Sequence, residues 1–128
     1  MINRVYDAGA LMAADCGDPG FWHDHGKLVS AGLRPIVPAA VVAQVSRSRP
    51  RQARLATLLK TCQVVNLDKQ VAHHIGALLA LSKTSDIVDA SVVIAATEHD
   101  ARVVITSDVG DIEHLVQASS KKIHVMLP

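Results

Sequence analysis

The stretch Arg102-Val103-Val104-Ile105-Thr106-Ser107-Asp108-Val109-Gly110-Asp111-Ile112 decides the fold class. Its first half is rich in Val and Ile and predicts a strand over Arg102–Thr106. From Asp108 to Ser119 the sequence predicts a helix, with almost nothing between the two elements. A strand that passes straight into a helix is half of a βαβ unit, and the rest of the chain repeats the pattern. Further short strands are expected at Ile2–Tyr6, Pro35–Val37, Gln63–Val65 and Lys122–Met126. Between them, helices are expected at Ala10–Ala14, Phe21–Ala31, Ala39–Ser46, Arg51–Lys60, Lys69–Leu81 and Asp86–His99. Pro38 and Pro50 open two of these helices, where a missing N–H does no harm. Asp68 is a natural N-cap for the helix from Lys69, whose apolar positions recur at three and four. The helix from Asp86 is apolar nearly all round after its first turn, as a buried helix is. The alternation predicts an α/β domain with a short-stranded, mostly parallel sheet.

Composition agrees. The chain has 128 residues, 49% of them hydrophobic and only 2% aromatic. Its core must be built from Ala, Val, Leu and Ile, which suits parallel strands covered by helices on both faces. The length fits a single domain spanning residues 1–128. A net charge of +1 does not announce a nucleic-acid binder, so charge distribution must carry any such argument. Cys16 and Cys62 have no metal-type spacing and form no disulfide framework, which points to a reduced, cytoplasmic setting. The first residues lack the apolar core of a signal peptide. No apolar run approaches the ~20 residues that span a bilayer, so no membrane association is expected.

In parallel α/β sheets, ligands sit outside the carboxyl ends of the strands. Asp7 directly follows the first strand and Asp108 the fourth, so both lie at one edge if those strands are neighbours. Asp86 and Asp89, three apart, share a face on the first turn of the buried helix. Converging carboxylates repel and stay ionised only around something positive. With no Cys or His in the set, an all-oxygen site favours Mg²⁺, Mn²⁺ or Ca²⁺ over Zn²⁺. A carboxylate-held Mg²⁺ activates water and meets phosphates, so phosphodiester hydrolysis is the reaction such a site serves.

Three segments carry a family resemblance: Val5-Tyr6-Asp7-Ala8-Gly9-Ala10-Leu11, Thr84-Ser85-Asp86-Ile87-Val88-Asp89-Ala90, and Val103 to Ile112. In order and spacing the chain resembles the PIN-domain family, and within it the VapC-type toxin ribonucleases of type II toxin–antitoxin systems. The resemblance implies a three-layer α/β/α sandwich and a Mg²⁺-dependent endoribonuclease, with Mn²⁺ as substitute. It implies RNA as substrate, a homodimer, and a separately encoded antitoxin that blocks the acidic pocket. Carried over residue by residue, it makes Asp7, Asp89 and Asp108 the metal ligands and Asp111 a supporting fourth catalytic acid. Asp86 becomes an outer acid or a cap, and Thr106 and Ser107 become hydroxyls that hold a carboxylate or a metal water. Where the family usually has Glu, this sequence has Gln44, an amide that brings no charge and cannot act as a base. Ala8 and Gly9 likewise replace hydroxyl residues often found after the first Asp.

Arg47, Arg49, Arg51 and Arg54 form the dense basic cluster of the chain. It reads either as a solvated helix face or as a set of phosphate contacts along RNA. His23-Asp24-His25 looks metal-like, but residues two apart do not share a helix face. His73, His74, His99, His114 and His124 read as surface or partly packed residues. Three readings compete. The first is the metal-dependent ribonuclease, and the second a catalytically weak PIN domain that binds RNA or protein, motivated by Gln44. The third is a phosphoryl-receiver domain, disfavoured because Lys121 and Lys122 precede the final strand instead of following it.

Overall fold

The computed structural model describes residues 1–128. The chain runs β1 (Arg4–Tyr6), α1 (Ala8–Asp15), α2 (Pro19–Ser30), β2 (Ile36–Pro38) and α3 (Ala39–Val45). A 3-10 turn at Pro50–Gln52 leads into α4 (Ala53–Lys60), β3 (Gln63–Val65), α5 (Lys69–Ser82) and α6 (Ile87–Glu98). The chain ends with β4 (Val103–Ile105), α7 (Val109–Ser119) and β5 (His124–Met126). The five strands form one sheet in the order β3-β2-β1-β4-β5. Every pairing is parallel, so the expected mostly parallel sheet is wholly parallel. This is the PIN-like α/β fold that the sequence implies.

Aspartates cap three of the longer helices. Asp18 accepts from the Phe21 amide, Asp68 from Val71 and Asp86 from Asp89, each filling one of the donors a helix start leaves open. Several expected boundaries shift: β1 and β5 are two residues shorter at their starts, and α1 and α2 begin two residues earlier, at Ala8 and Pro19. Two shifts have a clear physical cause. Pro38 does not open α3 from inside; it is the last residue of β2, paired with Val65, and its extended ψ of 139° makes it the residue before the helix. The helix expected from Arg51 begins two residues later, because Pro50–Gln52 winds as a tighter turn.

The core gathers Val5, Ile36, Val37 and Val104 from the sheet against Val92, Val93 and Ala96 of α6. That helix lies over β1, β2 and β4. Full burial of a Val is worth roughly 1.5–3 kcal/mol, so α6 is anchored at the middle of the sheet. The few aromatic side chains sit in one nest. Tyr6 and Phe21 ring centres are 5.1 Å apart, and Phe21 stacks on His25 at 6.2 Å. His25 therefore turns inward, bridging the Tyr6 hydroxyl (2.8 Å) and the Thr61 hydroxyl (2.7 Å). Thr61 gives its own proton to the Leu58 carbonyl, so Nε2 of His25 donates and Nδ1 accepts from Tyr6. The His23-Asp24-His25 motif is thus a core bridge at its second histidine.

Candidate metal centre

β1 and β4 lie side by side and end level, with Tyr6 opposite Ile105. Asp7 and Thr106 are the first residues beyond the sheet on these two strands. The Asp7 amide donates to the Ile105 carbonyl at 2.9 Å, which fixes the backbone there. The Asp7 side chain is 4% exposed, and both oxygens are engaged. Oδ1 accepts from the Ala8 amide at 2.7 Å and Oδ2 from the Thr106 hydroxyl at 2.7 Å. Thr106 Oγ1 in turn accepts from the Asp108 amide at 2.9 Å. One buried hydroxyl therefore couples the turn after β4 to the acid after β1.

Gly9 explains how α1 comes so close to that turn. A Cβ at position 9 would lie 2.8 Å from the Ser107 Cβ and 2.9 Å from its backbone nitrogen. Neither atom can move aside cheaply, so the absence of a side chain at Gly9 is what lets Ser107 approach.

Asp86 and Asp89 stand on the first turn of α6, Asp86 exposed as the cap and Asp89 buried at 8% exposure. Asp108 occupies the cap position of α7 but makes no side-chain cap bond, and its carboxylate meets that of Asp111 instead. Oxygens of Asp89, Asp108 and Asp111 all lie within 4.8 Å of one another. Sequence reasoning ranks Asp7 among the ligands and Asp111 as supporting. In the structure Asp111 belongs to the tightest group, and Asp7 stands beside it, hydrogen-bonded.

Crowding shows in the protonation of these groups. Asp89 is pushed up to about 7, first by burial and then by the charges of Asp86, Asp7, Asp108 and Asp111. Asp108 is also raised, first by desolvation, then by Asp111 and Asp7 and by a hydrogen bond shared with Asp111. These are acids gathered against their own repulsion, the situation a bound cation relieves. Oxygen-only donors at this spacing fit a hard divalent cation.

Asp89 and Asp111 line a cleft of about 270 Å³ together with Thr84, Ser85, Asp86 and His114. A larger hollow of about 340 Å³ runs along β3 and α6, but no set of three metal-ligating groups gathers there. Gln44 is exposed on the last turn of α3. The four arginines are exposed as well. Arg47 is partly committed, donating to the Ala43 (3.2 Å) and Ser46 (2.7 Å) carbonyls at the end of α3. Arg54 lies over Gly17, where an added Cβ would meet its Nε at 3.1 Å. Sequence reasoning passed over Thr84, Ser85 and His114 as parts of the cleft. The available signal was spacing: His114 falls three residues after Asp111, on the same helix face.

No protein-family profile and no curated protein sequence matches this chain. Among solved structures, the fold is similar to a chain of VapBC2 from Rickettsia felis bound to a DNA fragment from their promoter. That match has a TM-score of 0.73 and 12% identity over 99% of each chain. The chain is also similar to one in the structure of FitAB bound to an IR36 DNA fragment, with a TM-score of 0.63 and 14% identity. There it covers 98% of this chain and 94% of the other. Identities this low make the likeness one of fold, and function has to be argued from the site.

Proposed function

We propose that this chain is a divalent-metal-dependent endoribonuclease of the VapC type. The observation that carries the reading is the set Asp89, Asp108 and Asp111, with Asp7 beside it, at the carboxyl ends of two central strands of this fold. Asp7, Asp89, Asp108 and Asp111 would hold Mg²⁺, or Mn²⁺ in its place. Such an ion would activate water and neutralise phosphodiester charge; the family resemblance implies products with a 3′-hydroxyl and a 5′-phosphate. Thr106 keeps Asp7 and the Asp108 backbone in place, and Asp86 holds the start of α6. Arg49 and Arg51, exposed near the end of α3, are free to meet RNA phosphates. Tyr6 and Phe21 are buried, and Trp22 is half-buried with its indole N–H donated to the Ala14 carbonyl (3.0 Å), so specific reading of bases by aromatic stacking is not part of the proposal. The similarity to chains of VapBC2 and FitAB supports an antitoxin as partner. A homodimer and work in the cytoplasm belong to the proposal on the family resemblance alone. No helix is long and apolar enough to cross a membrane.

The test is cleavage of a structured-RNA pool with Mg²⁺, with EDTA, and by the Asp89→Asn variant. Cleavage should require the metal and vanish in the variant. Cleavage in EDTA, or an unimpaired variant, would sink the mechanism. A second reading, a weakly active PIN domain that binds RNA or protein, is favoured by one observation: Gln44 places an uncharged amide where the resemblance calls for Glu. Gln44→Glu should raise activity sharply if the missing charge matters, and an unchanged rate removes the basis for this reading.

A further inference from the structure

His114 lies on α7, one turn beyond Asp111, and lines the acidic cleft with it. Its Nε2 is 2.9 Å from the carbonyl oxygen of Ser82. A carbonyl only accepts, so Nε2 carries the proton and donates.

The acceptor sits at a decisive point. Ser82 is the last residue of α5 and is buried, and a last-turn carbonyl has no partner within its own helix. The chain then turns through Lys83, whose φ of +58° is left-handed. The Thr84 amide closes back on the Leu79 carbonyl at 3.2 Å, and the Ser82 and Thr84 hydroxyls meet at 2.7 Å. Two residues later Asp86 caps α6 and receives the Asp89 amide at 3.0 Å. The His114–Ser82 bond therefore runs from the helix that bears Asp108 and Asp111 to the turn that delivers Asp86 and Asp89. Apolar packing between α6 and α7 holds them together without direction, whereas a hydrogen bond fixes distance and angle.

We propose that His114 is a positioning residue that sets the spacing between the α6 carboxylates and the α7 carboxylates by bracing the Ser82–Asp86 turn. The brace itself does not depend on a metal; its consequence for cation affinity rests on the metal-centre reading above. The experiment compares His114→Ala with His114→Gln, whose side-chain amide nitrogen reaches about as far as Nε2 and can donate to the same carbonyl. Amide hydrogen exchange is followed in metal-free protein. In His114→Ala the Thr84 and Asp89 amides should exchange about 3- to 10-fold faster, as loss of one net hydrogen bond implies, while β4 amides keep their rates. His114→Gln should restore protection, and unchanged exchange in His114→Ala overturns the brace. The same proteins are then titrated with Mn²⁺. The apparent Kd should rise by about the same factor in the Ala variant and not in the Gln variant. A loosened turn with wild-type Mn²⁺ affinity would make His114 a local staple and remove its positioning role. Wild-type protein that takes up no Mn²⁺ would count against the metal centre, while the exchange rates still decide the brace.

Discussion

Thr106 uses its single hydroxyl twice, donating to Asp7 and accepting from the Asp108 amide, and it does so fully buried. Thr106→Val keeps the shape and deletes both bonds, leaving a buried carboxylate oxygen without its donor. The variant should lose about 1–3 kcal/mol of stability, and Thr106→Ser should recover most of it. Urea unfolding of the three proteins measures this; equal midpoints for Val and Thr would mean that the hydroxyl holds nothing. Gly9 is the complementary case, a residue defined by what it lacks. Gly9→Ala sets a Cβ 2.9 Å from the Ser107 nitrogen, a backbone atom that cannot swing away. We expect a destabilisation of about 1–3 kcal/mol, typical of overpacking, with RNA cleavage falling further than stability because the displaced segment carries Asp108. A variant as stable and active as the parent would show that α1 can back away from the turn at little cost. At this scale the sequence was half legible. The acids announced themselves by lying one residue past a strand or on a first turn. The need for glycine at position 9 was not visible, because it arises from a contact between residues 98 positions apart in the chain.

Elements were easier to read where local signals agreed, and harder where tertiary contacts decided the boundary. In α6, Asp86 caps, Asp89 follows, and an all-apolar run fills the core, so the expected range Asp86–His99 differs from Ile87–Glu98 only by the two caps. Pro38 misled because proline suits both the end of a strand and the first turn of a helix. Pairing with Val65 settled it, and pairing is not a local property. In sequence the Arg47–Gln52 segment reads as a basic cluster running into the helix that Pro50 opens. In fact Gln52 clips it shut, accepting from the Arg47 amide (2.8 Å) and donating to the Val45 carbonyl (2.9 Å). That division of labour makes the arginines unequal. Arg47 satisfies carbonyls at the end of α3, so Arg47→Ala should weaken stability by less than about 1 kcal/mol by removing that cap. Arg49 and Arg51 have no such duty. Replacing both with Ala should leave unfolding unchanged and weaken RNA binding. It should also flatten the salt dependence, by about 0.7 in slope for each single-strand phosphate that is no longer neutralised. A slope equal to the parent's would place the RNA path elsewhere.

For the whole molecule, the acidic centre sets stability against function, and pH separates the two. Asp89 holds its proton to about 7 in the fold, against an ordinary value of 3.8. Between those values the folded state binds the extra proton, so this contribution to stability is complete below about 3.8 and is lost as pH rises through about 7. His25 works in the opposite sense. Burial lowers it from 6.5, so its contribution is complete above that value and fades as pH falls through the folded-state value. Asp89→Asn isolates the first effect, because asparagine matches the protonated acid in shape and charge and His25 is common to both proteins. At pH 4 the metal-free parent and variant should melt together. At pH 8 the variant should be the more stable: the full shift from 3.8 to about 7 is worth about 4 kcal/mol, and because Asp89 opens onto a solvent-filled cleft, screening cuts the gain to about 1–3 kcal/mol. Saturating Mg²⁺ should then raise the parent's melting temperature at pH 8 and leave that of Asp89→Asn nearly unmoved. Thermal melts at both pH values, with and without Mg²⁺, read all of this. If the variant gains nothing at pH 8, the crowding of carboxylates around Asp89 carries no stability cost. If the parent gains nothing from Mg²⁺, the cluster does not offset its own repulsion by binding that cation. Should both gains appear, a fold that is more stable without the Asp89 charge retains it for its chemistry.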